Sequence, residues 1–144
     1  MSALQGALPG ARVVDLFAGS GALGLEALSR GAEHVVFVER AGPSLRTLRA
    51  NLGRLGAETQ ATVIADDVFR WLDRDPEPCD LAFADPPYGG GEAARLVARF
   101  LDRPFATELW LEHAWRDRDA LGLPPEVRTR RYGDTALTTL ETDA

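Results

Sequence analysis

Five short apolar runs separated by segments of helical period constrain this chain more than any other feature. The runs are RVVDLF (12–17), HVVFVE (34–39), ATVIA (61–65), the start of CDLAFADPPY (79–88) and ELWLEH (108–113). Each is rich in β-branched or aromatic residues, as strands are. Between them, SGALGLEALSRGA (20–32) places Leu23, Ala27 and Leu28 near helical spacing, with Gly31 as C-cap. PSLRTLRANLGRLG (43–56) sets Leu45, Leu48, Leu52 and Leu55 on one face and arginines on the others. DVFRWL (67–72) and GEAARLVARFL (91–101) supply two more helices. The tail EVRTRRYGDTALTTLE (126–141) carries two β-rich runs around YGD, the pattern of an antiparallel hairpin. Alternation of this kind predicts an α/β fold, a mostly parallel sheet with helices on both faces.

The 144 residues and 45% apolar content suit one domain with one core. No apolar run approaches the ~20 residues that span a membrane, and MSALQGALPGAR lacks the blocks of a secretory signal. A single cysteine, Cys79, excludes an internal disulfide. His34 and His113 lie far apart, with no ligand-spaced cysteine or carboxylate beside them, so no metal is expected. These features predict a cytoplasmic protein. The net charge is −6 and every basic residue is arginine. That balance weighs against a broad grip on nucleic acid but leaves room for a local basic patch. The densest patch is Arg128, Arg130 and Arg131, with Arg116 and Arg118 nearby as further phosphate contacts.

In open parallel sheets, ligands sit at the carboxyl ends of the strands. Asp15, Glu39, Asp66, Asp67 and Asp85 all fall at or just past such ends. DLFAGSGALG (15–24) has the G-x-G-x-x-G spacing of a nucleotide loop in Gly19, Gly21 and Gly24. Glu39, twenty residues after Gly19, stands where an acid accepts from ribose hydroxyls. Both NAD and S-adenosylmethionine have that ribose. Asp15 separates them, because a carboxylate at the loop's mouth repels a pyrophosphate and suits a cationic ammonium and sulfonium. The glycine amides and helix N-terminus would face the methionine carboxylate. The reading favours S-adenosylmethionine as cofactor; the alternative for Asp15 is a carboxylate that orders the loop through backbone amides. In ADDVF, Asp67 is the candidate acceptor for the adenine amino group and the Val68 amide the donor to the ring; Asp66 competes, and either acid can cap the next helix. The candidate cofactor contacts are thus Asp15, Phe17, Gly19, Ser20, Gly21, Glu39, Arg40, Asp67 and Val68.

DPPY (85–88) names the chemistry. An exocyclic amine on a base is a poor nucleophile, because its lone pair is delocalised into the ring. Catalysis must hold the amine so that this pair aims at the methyl group. Asp85 can accept one N–H and the Pro86 carbonyl the other, while Pro86 and Pro87 stiffen the loop. Tyr88 offers a ring on which an extruded base stacks. Positive charge developing on nitrogen is stabilised by Asp85. Asp85, Pro86, Pro87 and Tyr88 are therefore the candidate catalytic residues.

In VVDLFAGSGALGLEALSRGA (13–32), VVFVER (35–40), DVFRWL, LAFADPPYGGG (81–91) and RYGDTALTTLE (131–141), the chain resembles the RsmD family of ribosomal RNA guanine-N2 methyltransferases. The resemblance implies a Rossmann-like, seven-stranded, mostly parallel sheet with an antiparallel C-terminal strand. It implies S-adenosylmethionine as methyl donor and, as substrate and partner, a guanine of 16S ribosomal RNA in the small subunit or a late precursor. A monomer is expected. Family members usually carry a basic N-terminal segment ahead of the first strand; here only MSALQGALPGA precedes it. The expectation is a single methyltransferase domain over 1–144 without that segment. Two alternatives stay open: a cofactor-binding module needing a partner, and a DNA amino-methyltransferase.

Overall fold

The computed structural model describes residues 8–142. The expectation about an absent N-terminal segment concerns sequence ahead of them and lies outside the described residues.

The elements follow the alternation. They are β1 (Arg12–Leu16), α1 (Ala22–Ser29), β2 (His34–Glu39), α2 (Gly42–Leu55), β3 (Ala61–Ala65), α3 (Val68–Leu72), β4 (Cys79–Ala84), α4 (Glu92–Asp102), β5 (Ala106–Ala114), β6 (Arg128–Tyr132) and β7 (Thr135–Glu141). Two 3-10 turns, Glu58–Gln60 and Trp115–Ala120, were not foreseen. The seven strands form one sheet in the order β3-β2-β1-β4-β5-β7-β6. β1 through β5 pair in parallel, and β7 runs against both β5 and β6.

Alternate residues of each strand feed two cores, one on each face. Val13, Val35, Phe37 and Phe83 pack with Leu48 and Leu52 of α2. Val14, Leu16, Ala82 and Leu109 pack with Phe69 and Leu72 of α3 and Leu96 and Phe100 of α4. The helix expected within 20–32 forms as α1, with Ala27 on its inner line. Its buried residues are Gly24 and Ala27, while Leu23 and Leu28 are only partly covered. The helix rides so close to β2 that a Cβ at Gly24 would stand 2.8 Å from Phe37 Cζ, leaving no space for leucine on that line. Leu55 also departs from its expected face and is 62% exposed. It is the last helical residue, and Gly56, at φ 64°, turns the chain away before Leu55 can dock.

β1 is the switch point. From it the sheet is built out through β2 on one side and β4 on the other, so the loops after β1 and β4 part at the carboxyl edge and leave a crevice there.

Candidate functional site

The glycine loop is held in shape by its neighbours. Leu16 ends β1, and the backbone then turns left-handed at Phe17 (φ 57°) and at Gly21 (φ 87°), which caps α1. A positive φ costs glycine little but strains a phenylalanine, and such strain gathers at functional sites. Ala18 N–H donates to the Val38 carbonyl (3.0 Å). Gly19 N–H donates to Glu39 Oε1 (2.7 Å), and the N–H groups of Arg40 and Ala41 donate to Glu39 Oε2 (3.0 and 2.8 Å). Asn51 of α2 donates to the Ser20 carbonyl (3.2 Å).

Two sequence expectations change here. Asp15 is 2% exposed and does not line the cleft; its Oδ2 accepts from Gly24 N–H at 3.0 Å. Burial, with lesser contributions from Asp85 and Glu39, pushes its carboxyl up to about 8 against the pull of that amide. The residue orders the loop from beneath, as a group largely neutral at pH 7. Likewise Gly19, Ser20 and Gly21 are not cleft lining. The amides offered to a ligand carboxylate are taken within the protein, Gly19 by Glu39 and Gly21 by the Ala18 carbonyl (2.9 Å).

A cleft of about 660 Å³ opens at the carboxyl edge, within the range of small-molecule sites. Of the expected cofactor contacts, Phe17, Glu39, Arg40, Asp67 and Val68 line it. Glu39 keeps capacity for a ligand, since a carboxylate has about four acceptor positions and three are engaged. Asp67 caps α3, accepting from Phe69 and Arg70 N–H through Oδ2 (3.0 and 3.1 Å); its Oδ1 meets only Arg40, at 3.5 Å. Asp66 is tied to Asp67 N–H (2.8 Å) and to Arg74 (2.6 Å). Of the two acids, Asp67 has the oxygen to spare. Phe69 closes the floor, edge-on to Phe17 with Arg95 over its ring at 4.0 Å. Phe69, inside DVFRWL, and Arg95, inside GEAARLVARFL, were not among the expected cofactor contacts.

Asp85, Pro86, Pro87 and Tyr88 line the opposite wall of the same cleft. Pro86 is buried, Asp85 is open, and Tyr88 is 48% exposed. Beside Asp85, outside the cleft lining, stands Glu112 of β5, which the sequence reading passed over although it too is an acid near a strand end. Burial, and after it the neighbouring Asp85 carboxyl, pushes the Glu112 carboxyl up to about 7.

The arginine cluster of the tail does not stay together. β6 is an exposed edge strand, so successive side chains point to opposite faces. Arg131 lies 4.8 Å over the ring of Trp115, which Arg118 covers at 4.0 Å. Arg130 faces the other way, in register with Leu137 and, beyond it, Glu112. Arg128 sits at the far end of the strand beside Glu126 and Glu141. Arg131 and Tyr132 end β6 at the carboxyl edge of the parallel strands, where Tyr132 is 54% exposed. His34 and His113 bond to Thr62 and Thr138 (2.8 and 2.7 Å). Among the described residues no helix is long and apolar enough to cross a membrane.

The family described as conserved hypothetical protein 95 matches residues 1–140. A Bacillus subtilis protein provisionally named rRNA methyltransferase YlbH is 36% identical over 136 residues, spanning 92% of this chain and 71% of that protein. The Escherichia coli K12 ribosomal RNA small subunit methyltransferase D is 40% identical over 81 residues, which is 56% of this chain and 40% of that protein. Among solved structures, an Escherichia coli protein provisionally called methyltransferase yhhF superposes with a TM-score of 0.84 at 28% identity, covering 99% of this chain and 84% of that one. A hypothetical protein of Thermus thermophilus gives a TM-score of 0.77 at 34% identity over 92% of this chain and 75% of that one.

Proposed function

The chain belongs to the RsmD family, the family described as conserved hypothetical protein 95, and from that premise we propose that it methylates the N2 amine of a guanine in 16S ribosomal RNA with S-adenosylmethionine. The observation that carries the reading is that Asp85 to Tyr88 and the acids of the second and third strand ends face one cleft. When bound, S-adenosylmethionine supplies a methyl group on a sulfonium. The free acceptor position of Glu39 suits a ribose hydroxyl, and Asp67 Oδ1 with the Val68 amide suits the edge of adenine. Phe17 and Phe69 offer apolar ring surface beside it. Asp15 acts on the loop and not on the ligand.

On the opposite wall, Asp85 accepts one N–H of the target amine and the Pro86 carbonyl accepts the other. The amine is then held with its lone pair directed into the cleft. Tyr88, half open to solvent, stacks on the extruded base. The negative charge of Asp85 opposes the positive charge that grows on nitrogen. Arg131 and Tyr132, at the same edge of the sheet, stand on the side from which RNA would approach. The candidate partner is 16S ribosomal RNA in the small subunit or a late precursor, and relatives named ribosomal RNA small subunit methyltransferase support the RNA class.

The test is labelled-methyl transfer to small subunits that lack the modification, followed by mapping of the modified nucleotide. Asp85→Ala is expected to lower the rate on the order of 10²-fold or more while leaving S-adenosylmethionine binding nearly intact. Parallel loss of cofactor affinity would move Asp85 into the cofactor site. Cofactor binding with no transfer to any small subunit would favour a binding module instead.

A further inference from the structure

We propose that Glu112 is a positioning residue through which Asp85 takes up and passes on the proton that the amine must lose; the proposal rests on the methyltransferase reading above. The placement comes from the sheet. β4 and β5 run in parallel register, Phe83 beside Trp110 and Ala84 beside Leu111. Phe83 and Trp110 touch edge to face at 5.8 Å, on one face of the sheet. The next residues along each strand, after Ala84 and Leu111, are Asp85 and Glu112, which the register places side by side, close enough for each carboxyl to feel the other's charge. Two neighbouring carboxylates repel each other, and one proton between them relieves that repulsion. The pair is therefore built to hold one proton and to exchange it near neutrality, where burial and Asp85 place the Glu112 carboxyl.

The charged groups around the pair support this. Across β7, Glu112 is in register with the apolar Leu137, and Arg130 follows only on β6. On the far side of Asp85 stand two more acids, Glu39 and Asp15, the latter held largely neutral by burial, and neither offers a positive charge to the pair. No cation is paired with Glu112 among the described residues, so a proton is the group that relieves the repulsion.

The balance of the step is simple. As the nitrogen–carbon bond forms, the methyl–sulfur bond breaks and its electron pair stays on sulfur. The nitrogen is left with one proton too many. That proton moves to Asp85 and then to Glu112, which is partly open to solvent and releases it there. Below neutrality the pair already holds its one proton; the step starts from the state above it, with both carboxyls ionised and one free to accept.

Two measurements on the full chain test the proposal. The first is a carbon-13 NMR titration of the carboxyl groups without ligand, in wild type, Glu112→Gln and Asp85→Asn. Two carboxyls are expected to titrate around neutrality in wild type, Asp15 and one of the pair; the pair's titration is absent or displaced in both variants and persists in Asp15→Asn, which assigns it. The second is the pH dependence of single-turnover methyl transfer to small subunits. The wild-type rate is expected to rise through neutrality, with about a tenth of the plateau remaining one unit below the midpoint. Glu112→Gln keeps a hydrogen-bonding side chain and is expected to flatten that rise. If Glu112→Gln does not fold, Glu112→Ala with added formate replaces it, and formate is expected to restore the wild-type profile. Titration of Glu112 in the ordinary carboxylate range, or an unmoved pH midpoint in the variant, overturns the proposal. A wild type that transfers no methyl while still showing the neutral titration overturns the methyltransferase reading instead, and the two failures are thereby told apart.

Discussion

Asp15 shows how one buried carboxyl couples the loop to pH. Its folded carboxyl is raised from 3.8 to about 8, chiefly by burial. In that window the folded chain keeps a proton that the unfolded chain has released. Stability contributed at this residue is therefore full at acid pH and declines as pH rises toward 8. Glu112 adds a slope of the same sign up to about 7. Asp15→Asn, a neutral side chain of the same shape, is expected to fold and to lose stability less steeply between about pH 4 and 8, the span of that window. Urea unfolding across that range checks it, and an unchanged slope would show that Asp15 does not hold the proton. Gly24 makes a second residue-scale case. A methyl group there meets the Phe37 ring and lies 3.0 Å from Val35 Cγ1. Gly24→Ala is expected to destabilise by about 1–3 kcal/mol through overpacking, read as a lower urea midpoint with an unchanged slope.

Among the elements, α3 is the one whose position depends most on a single side chain. It has five residues, too few for intrinsic stability, and Asp67 caps two of its first amides. It presents Val68 and Phe69 to the cleft. Asp67→Ala is expected to cost about 1 kcal/mol of stability and to weaken S-adenosylmethionine binding as well. Asp67→Asn retains a cap and therefore isolates the ligand-facing Oδ1. If calorimetry finds the same affinity in the alanine and wild-type proteins, Asp67 serves the helix alone. The glycine loop is held differently, by Glu39 reaching across from β2 to Gly19 N–H. Its geometry comes from a neighbouring strand end as well as from its own glycines.

At the scale of the molecule, an acidic protein has to meet a polyanion through a small cationic area. The net charge is −6. Arg118 and Arg131 flank Trp115 at the carboxyl edge, while Arg128 lies beside Glu126 and Glu141 at the other end of β6. RNA affinity is expected to fall steeply with salt, and Arg131→Ala to reduce the slope of log affinity against log salt by about 1. Arg128→Ala is expected to leave the slope unchanged. Filter binding to small-subunit RNA at several salt concentrations distinguishes them; equal effects would mean that the whole strand meets RNA.

What the sequence determined by itself was periodic or local. Alternation of apolar runs and helical spacing is enough to order the strands and helices, because each element must bury a stripe set by its own geometry. HVVFVE and ATVIA coincide with β2 and β3 residue for residue, and YGD turns the final hairpin. The glycine spacing, Glu39 and the DPPY segment fall at one edge of the sheet for the same reason: the carboxyl ends of parallel strands converge wherever the chain places them. Tertiary structure alone decided how acids at that edge divide their work. Asp15 turns inward because the close approach of α1 to β2 brings Gly24 N–H above it. Glu112 meets Asp85 only through the register of β4 with β5, strands that α4 separates in the chain. Arg131 parts from Arg128 and Arg130 because a strand sends neighbours to opposite faces and an edge leaves both faces open. Proximity across strands is set by packing and register, and no local spacing in the chain encodes it.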